Sequence, residues 1–129
     1  MRANGVHHLA VCVRDLEQAQ AFYGEVLGLA VREHLQDDDG NDRAVWLELG
    51  DGAFLALELV QGSQARTDRS AGWHCVALGI EMADRELWRR RLQAAGYAVE
   101  KESDFTLYVR DPDGSLVALS HHPEPAPRA

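Results

Sequence analysis

The chain has 129 residues, which fits one domain of the usual rough size of 100–200 residues, and its 46% hydrophobic content is enough to fill a core. A formal net charge of −8 excludes a general nucleic-acid or anionic-membrane partner, because neutralising phosphates takes clustered lysine and arginine. No stretch reaches the roughly 18 apolar residues of a membrane span, and Met1–Arg2–Ala3–Asn4 lacks the apolar run of an export signal, so a cytoplasmic protein is expected. Cys12 and Cys75 are then expected as reduced thiols that act as small buried hydrophobes. The one basic cluster, Arg89–Arg90–Arg91, falls in a predicted helix near Asp84 and Glu86 and reads as a solvated face.

Val6–Val13 is an apolar, β-branched run and reads as a buried strand. Alternation puts His8, Ala10 and Cys12 on one face and His7, Leu9, Val11 and Val13 on the other, with His7 on the side a helix would cover. Asp15 can cap the following helix, with Gln18 completing a capping-box pattern. Leu16, Ala19, Phe22, Tyr23, Val26 and Leu27 recur at helical spacing as one apolar stripe, and Gly28 ends it. Leu29–Gln36 reads as a second strand running into the acidic turn Asp37–Asp38–Asp39–Gly40, which lacks the ligand spacing of a calcium loop. Arg43–Leu49 and Phe54–Val60 form a hairpin about Gly50–Asp51–Gly52, and Glu58 is a carboxylate in an otherwise apolar strand.

Polar residues Gln61–Ala71 join this half to a second copy of the pattern. That copy comprises strand Trp73–Ile80, a helix about Ala83–Ala95 ended by Gly96, strands Tyr97–Glu102 and Phe105–Arg110, the turn Asp111–Pro112–Asp113–Gly114, and strand Ser115–His121. Leu87, Trp88, Leu92 and Ala95 make the stripe of its helix, and the tail Pro123–Ala129 is expected to be disordered. The fold class is therefore α+β, a single domain over residues 1–122 built from two βαβββ modules, about 5–61 and 71–122. His8 and His74 stand 66 positions apart at matching places, so the duplication implies a pseudo-twofold relation between the modules.

Two histidines at duplicated positions, with Glu58 as an inward carboxylate, match the two-His-one-carboxylate set that holds a divalent metal and leaves positions open for substrate. Taken singly, each strand histidine also reads as a hydrogen-bonded core residue. Trp46, Glu48, Tyr108, Arg43 and Arg110 are further candidates to line a pocket for a small organic substrate.

The segment His7–Leu16, followed by Ala21–Phe22–Tyr23 and Val26–Leu27–Gly28–Leu29, resembles the opening signature of the vicinal oxygen chelate superfamily, the glyoxalase, bleomycin-resistance and extradiol dioxygenase group. Tyr108–Val109–Arg110–Asp111–Pro112–Asp113–Gly114 resembles its closing signature, and the similarity spans about residues 5–122. The resemblance implies paired modules curled into a cleft of mixed sheet around a divalent ion (Zn, Ni, Fe, Mn or Co) held by His8, Glu58 and His74, with Tyr108 facing the cleft as a hydrogen-bond donor. It also implies a homodimer. The fourth family ligand, a carboxylate four residues after the glycine of Asp-Pro-Asp-Gly, falls on Ala118, and His122 lies further along the same strand face as a candidate replacement. Alanine can neither ligate a metal nor move a proton, which puts standard glyoxalase I chemistry in doubt. The expected function is a metal-dependent lyase, isomerase or dioxygenase acting on a small oxygen-chelating substrate. The alternatives are a metal-free small-molecule or antibiotic-binding protein of the bleomycin-resistance kind, or an accessory subunit with a decayed site.

Overall fold

The computed structural model describes residues 1–62, 64–67 and 71–127. The chain divides into two compact units, Met1–Gln64 and Ala65–Ala129. Part of the expected linker, residues 63 and 68–70, and the last two residues of the tail lie outside the described residues.

The first unit is a mixed sheet of β1 (His8–Val13), β2 (Val31–Gln36), β3 (Asp42–Gly50) and β4 (Ala53–Leu59) in the order β1-β4-β3-β2. The helix returns the chain so that β2 runs in the direction of β1, the two antiparallel hairpins β2–β3 and β3–β4 then reverse it twice, and β4 therefore pairs parallel with β1. Asp15 starts helix α1 (Leu16–Gln20) with its Oδ1 accepting from Gln18 N at 3.1 Å, the expected half of a capping box. The helix then widens into a π-helical turn over Ala21–Val26, and Gly28 ends it at φ +79. Phe22 and Tyr23 are at most 1% exposed and pack edge to face at 4.9 Å; with Ala19 and Leu27 they cover the sheet face of Val13, Val45, Leu47, Leu55 and Leu57. That interdigitation of a helical stripe with alternate strand residues is the core of the unit.

The second unit repeats the topology with β5 (Cys75–Gly79), β6 (Lys101–Glu102), β7 (Thr106–Arg110) and β8 (Leu116–Ser120) in the order β5-β8-β7-β6. A 3-10 turn, Met82–Asp84, leads into α2 (Arg85–Ala94), and Gly96 at φ +91 ends it. Leu92, Leu107, Val109, Val117 and Leu119 form this unit's core, each at most 2% exposed. The expected tail continues in order at least to Ala126, whose N–H donates to Asp104 O at 2.6 Å.

Several expectations are corrected by burial. His7 is exposed rather than helix-covered, and its Nδ1 meets His8 Nδ1 at 2.8 Å. Cys12 is exposed and Cys75 half-buried, so neither is the buried hydrophobe expected, although both are free of a disulfide. Trp73 precedes β5 and is 88% exposed. The strand expected from Tyr97 pairs only over Lys101–Glu102. On α2, Leu87 is 57% exposed and Ala95 is exposed, because the inward stripe is instead Arg85, Trp88, Arg89 and Leu92.

Candidate functional site

Each sheet has one face under its helix and one open face, and the pairing register decides which side chains share the open one. In the first unit three successive rungs lie on it: His8–Phe54–Glu48, then Ala10–Ala56–Trp46, then Cys12–Glu58–Ala44. The first two rungs carry an aromatic ladder, Trp46 on Phe54 at 4.4 Å and 27°, and Phe54 on His8 at 4.8 Å and 6°. Arg32 closes the ladder's edge with its guanidinium 4.8 Å from the Phe54 centroid. The same guanidinium donates to both Glu48 oxygens at 2.7 and 2.6 Å and to Gly52 O at 3.0 Å. This hydrogen-bonded pair holds the Glu48 carboxyl below its ordinary range and the Arg32 guanidinium above its own.

Glu58 stands apart from that ladder. It is half-buried, and no cation or hydrogen-bond donor among the described residues meets its carboxylate. It lies four residues along the strand from the rung of His8, roughly 13 Å at about 3.3 Å per residue. Side chains that rise perpendicular to the sheet cannot close that distance onto one ion, so the structure does not bring His8 and Glu58 together.

The open face of the second unit has the rungs Cys75–Leu116–Arg110, then Ala77–Ala118–Tyr108, then Gly79–Ser120–Thr106. Tyr108 is half-buried beside Ala118, and Lys101 Nζ lies 5.4 Å from its ring centroid. Ser120 Oγ is taken by Thr106 Oγ1, which donates to it at 3.0 Å. Arg110 donates to Glu100 at 3.0–3.1 Å and to Gly114 O at 3.1 Å, which fixes the Asp-Pro-Asp-Gly turn. Within that turn Asp111 Oδ1 accepts from Asp113 N and Ser115 N at 2.9 and 2.8 Å. His74 is exposed and lies one residue before β5, so Cys75 occupies the first rung. His122 does not stand in for a residue at position 118: its ring packs edge to face on Phe105 at 5.0 Å, beyond the end of β8.

One polar cluster escaped the sequence. Arg85, 7% exposed, donates to His121 Nε2 and to Ser103 O, each at 2.8 Å, and His121 is itself 5% exposed. Because Nε2 accepts, the ring carries its proton on Nδ1, which donates to Glu124 O. The cluster borders a concavity of about 870 Å³ whose other cation, Arg89, is met by Glu86 and Glu102. Internal neutralisation makes this a structural network.

Residues 5–119 match the family model of the Glyoxalase/Bleomycin resistance protein/Dioxygenase superfamily. The chain belongs to this superfamily. It is 24% identical over 120 residues to the uncharacterized protein YwbC of Bacillus subtilis, covering 89% of this chain and 95% of that one. It is 26% identical over 117 residues to the glutathione transferase FosA of Serratia marcescens, covering 88% and 78%. A glyoxalase/dioxygenase of Nostoc punctiforme superposes with a TM-score of 0.77 at 20% identity over 93% of this chain and 92% of that one, a likeness of fold.

The duplicated registers allow the superfamily's ligand pattern to be tested against the donors present. Ala118 pairs with Ala77 and Tyr108; in the first sheet the residue that pairs with an alanine of the first strand and an aromatic of the third is Ala56, between Ala10 and Trp46. Ala56 is therefore the counterpart of Ala118, and Glu58 is the counterpart of Ser120. The same comparison pairs His8 with Cys75 rather than with His74. Both carboxylate rungs thus hold alanine, and among the described residues no group of three or more His, Cys, Asp or Glu is arranged to hold a metal ion. These donors do not fit a two-His-one-carboxylate centre.

Proposed function

We propose that this protein binds a small organic molecule on the open, aromatic-bearing faces of its sheets without a three-ligand metal centre, in the manner of a bleomycin-resistance-type member of its superfamily. The observation that carries the reading is alanine at both equivalent carboxylate rungs, Ala56 and Ala118, each beside an aromatic residue, Trp46 and Tyr108. Methyl groups neither ligate nor transfer protons, and the neighbouring half-buried rings of Trp46 and Tyr108 offer aromatic surface for a ligand to lie against. The superfamily's paired-module organisation supports a homodimer.

Elemental analysis of protein purified without chelator tests this. The expected result is no stoichiometric divalent metal and an unchanged melting temperature in chelator. One ion per chain, lost in His8→Ala, overturns it and restores the second reading, a metal-dependent enzyme. That reading draws on the exposed His8 imidazole at the superfamily's first ligand position and on the kinship to FosA.

A further inference from the structure

We infer that Glu58 is the recognition group for a protonated nitrogen of the bound molecule, so that the ligand class is a flat, cationic heteroaromatic of one or two rings. The inference rests on the binding reading above and adds to it the charge and size of the ligand.

The first unit's open face supplies the geometry. The rung His8–Phe54 and the rung Cys12–Glu58 are separated by the small rung Ala10–Ala56, a span of roughly 13 Å in which Ala56 is buried. Ala10 is open to solvent. At one end the imidazole of His8 continues the stack that begins at Trp46 and runs through Phe54, and His8 is its solvent-exposed terminus. At the other end stands a half-buried carboxylate. With side chains occupying part of the span, the gap matches a mono- or bicyclic ring resting on Ala10, its edge against the aromatic ladder and one polar atom at hydrogen-bond distance from Glu58.

The charges on the face select the sign of the ligand. Arg32 is spent on Glu48 and on the Phe54 ring. Glu33, opposite Trp46 on the outer strand, is exposed to solvent and adds negative potential. Glu58 is the half-buried carboxylate of this face that the described residues leave without a cation or donor. Partial removal of a carboxylate from water without a partner is unfavourable, and a charge-assisted hydrogen bond from a ligand N–H⁺ removes the penalty. A chain of net charge −8 further concentrates cations at its surface. Cys12, beside Glu58 on the same rung, is small and free, and leaves the approach to the carboxylate open.

The test is calorimetric titration of the full chain with 4-aminoquinaldine, protonated at neutral pH, and with quinaldine, a largely neutral ring of the same shape. The expected result is a preference of at least about tenfold for the cation. Glu58→Gln should abolish that preference while leaving quinaldine binding unchanged, Glu58→Asp should keep part of it, and Glu48→Gln should keep all of it. Binding of both rings with the same affinity in the parent, or a preference that survives Glu58→Gln, overturns the role of Glu58 while the binding reading stands. Binding of neither ring overturns the ligand class and counts against the aromatic-face reading as well. Stoichiometric binding of zinc ion alone, lost in Glu58→Gln, assigns Glu58 to a metal and overturns the inference.

Discussion

At the level of single residues, paired and buried ionisable groups set how stability responds to pH. Arg32 and Glu48 are satisfied: the hydrogen bond from Arg32 holds the Glu48 carboxyl below its ordinary range. A carboxyl lowered in the folded state contributes stability that is present above the ordinary carboxylate range and is lost as pH falls through the lowered folded value. Acid titration of Glu48→Gln followed by thermal melting should therefore show a shallower loss than the parent, and a small one because the pair is at the surface. Tyr97 works in the opposite direction. Burial first, and the negative charge of Asp111 second, push its phenol up from 10.0. A raised folded value means stability that is complete below the unfolded phenol's range and declines as pH rises through the folded value. Melting temperatures between pH 9 and 11 should fall less steeply in Tyr97→Phe than in the parent.

At the level of elements, local signals and distant partners contribute separately. The start of α1 is local: Asp15 and Gln18 are three residues apart and make the cap by themselves, so Asp15→Ala should cost about 1 kcal/mol in urea denaturation. Its end is local too. Gly28 has φ +79, and a Cβ built there meets nothing within 4 Å, so Gly28→Ala should carry only the conformational cost, about 1 kcal/mol. Helix α2 is different. Apolar spacing points Leu87 inward, whereas the helix turns Arg85 inward, because Ser103 O and His121 Nε2 supply acceptors 18 and 36 residues away. Removing that guanidinium strands both acceptors, so Arg85→Met should destabilise by about 2–4 kcal/mol despite its greater hydrophobicity, as measured by urea unfolding. A null effect would mean that water replaces both hydrogen bonds.

At the level of the whole molecule, the duplicated topology is the clearest signal in the sequence, and the way its two copies are aligned decides the candidate donor set. Two strand–helix–three-strand copies, the opening and closing signatures, and the superfamily were legible before any coordinates, and the family match over residues 5–119 agrees. Aligning the copies by their histidines paired His8 with His74; aligning them by strand register pairs His8 with Cys75 and Glu58 with Ser120. A shift of one residue changes which face a side chain occupies, so the candidate donor set depends on that choice. The proposed homodimer is checked by light scattering, which should return twice the chain mass. A monomeric mass would confine the ligand faces to a single chain.

The sequence by itself determined the order of the elements, the start of α1, the glycine stops and the tight turns at Gly50–Gly52 and Asp111–Gly114, because each is written in residues only a few positions apart. Tertiary structure alone decided that Ala56 lies between Ala10 and Trp46, that Glu58 lies opposite Cys12, and that Arg85 is buried against His121. Those facts depend on pairing between segments distant in the chain, where register is set by the sum of many side-chain contacts across the sheet rather than by any local pattern.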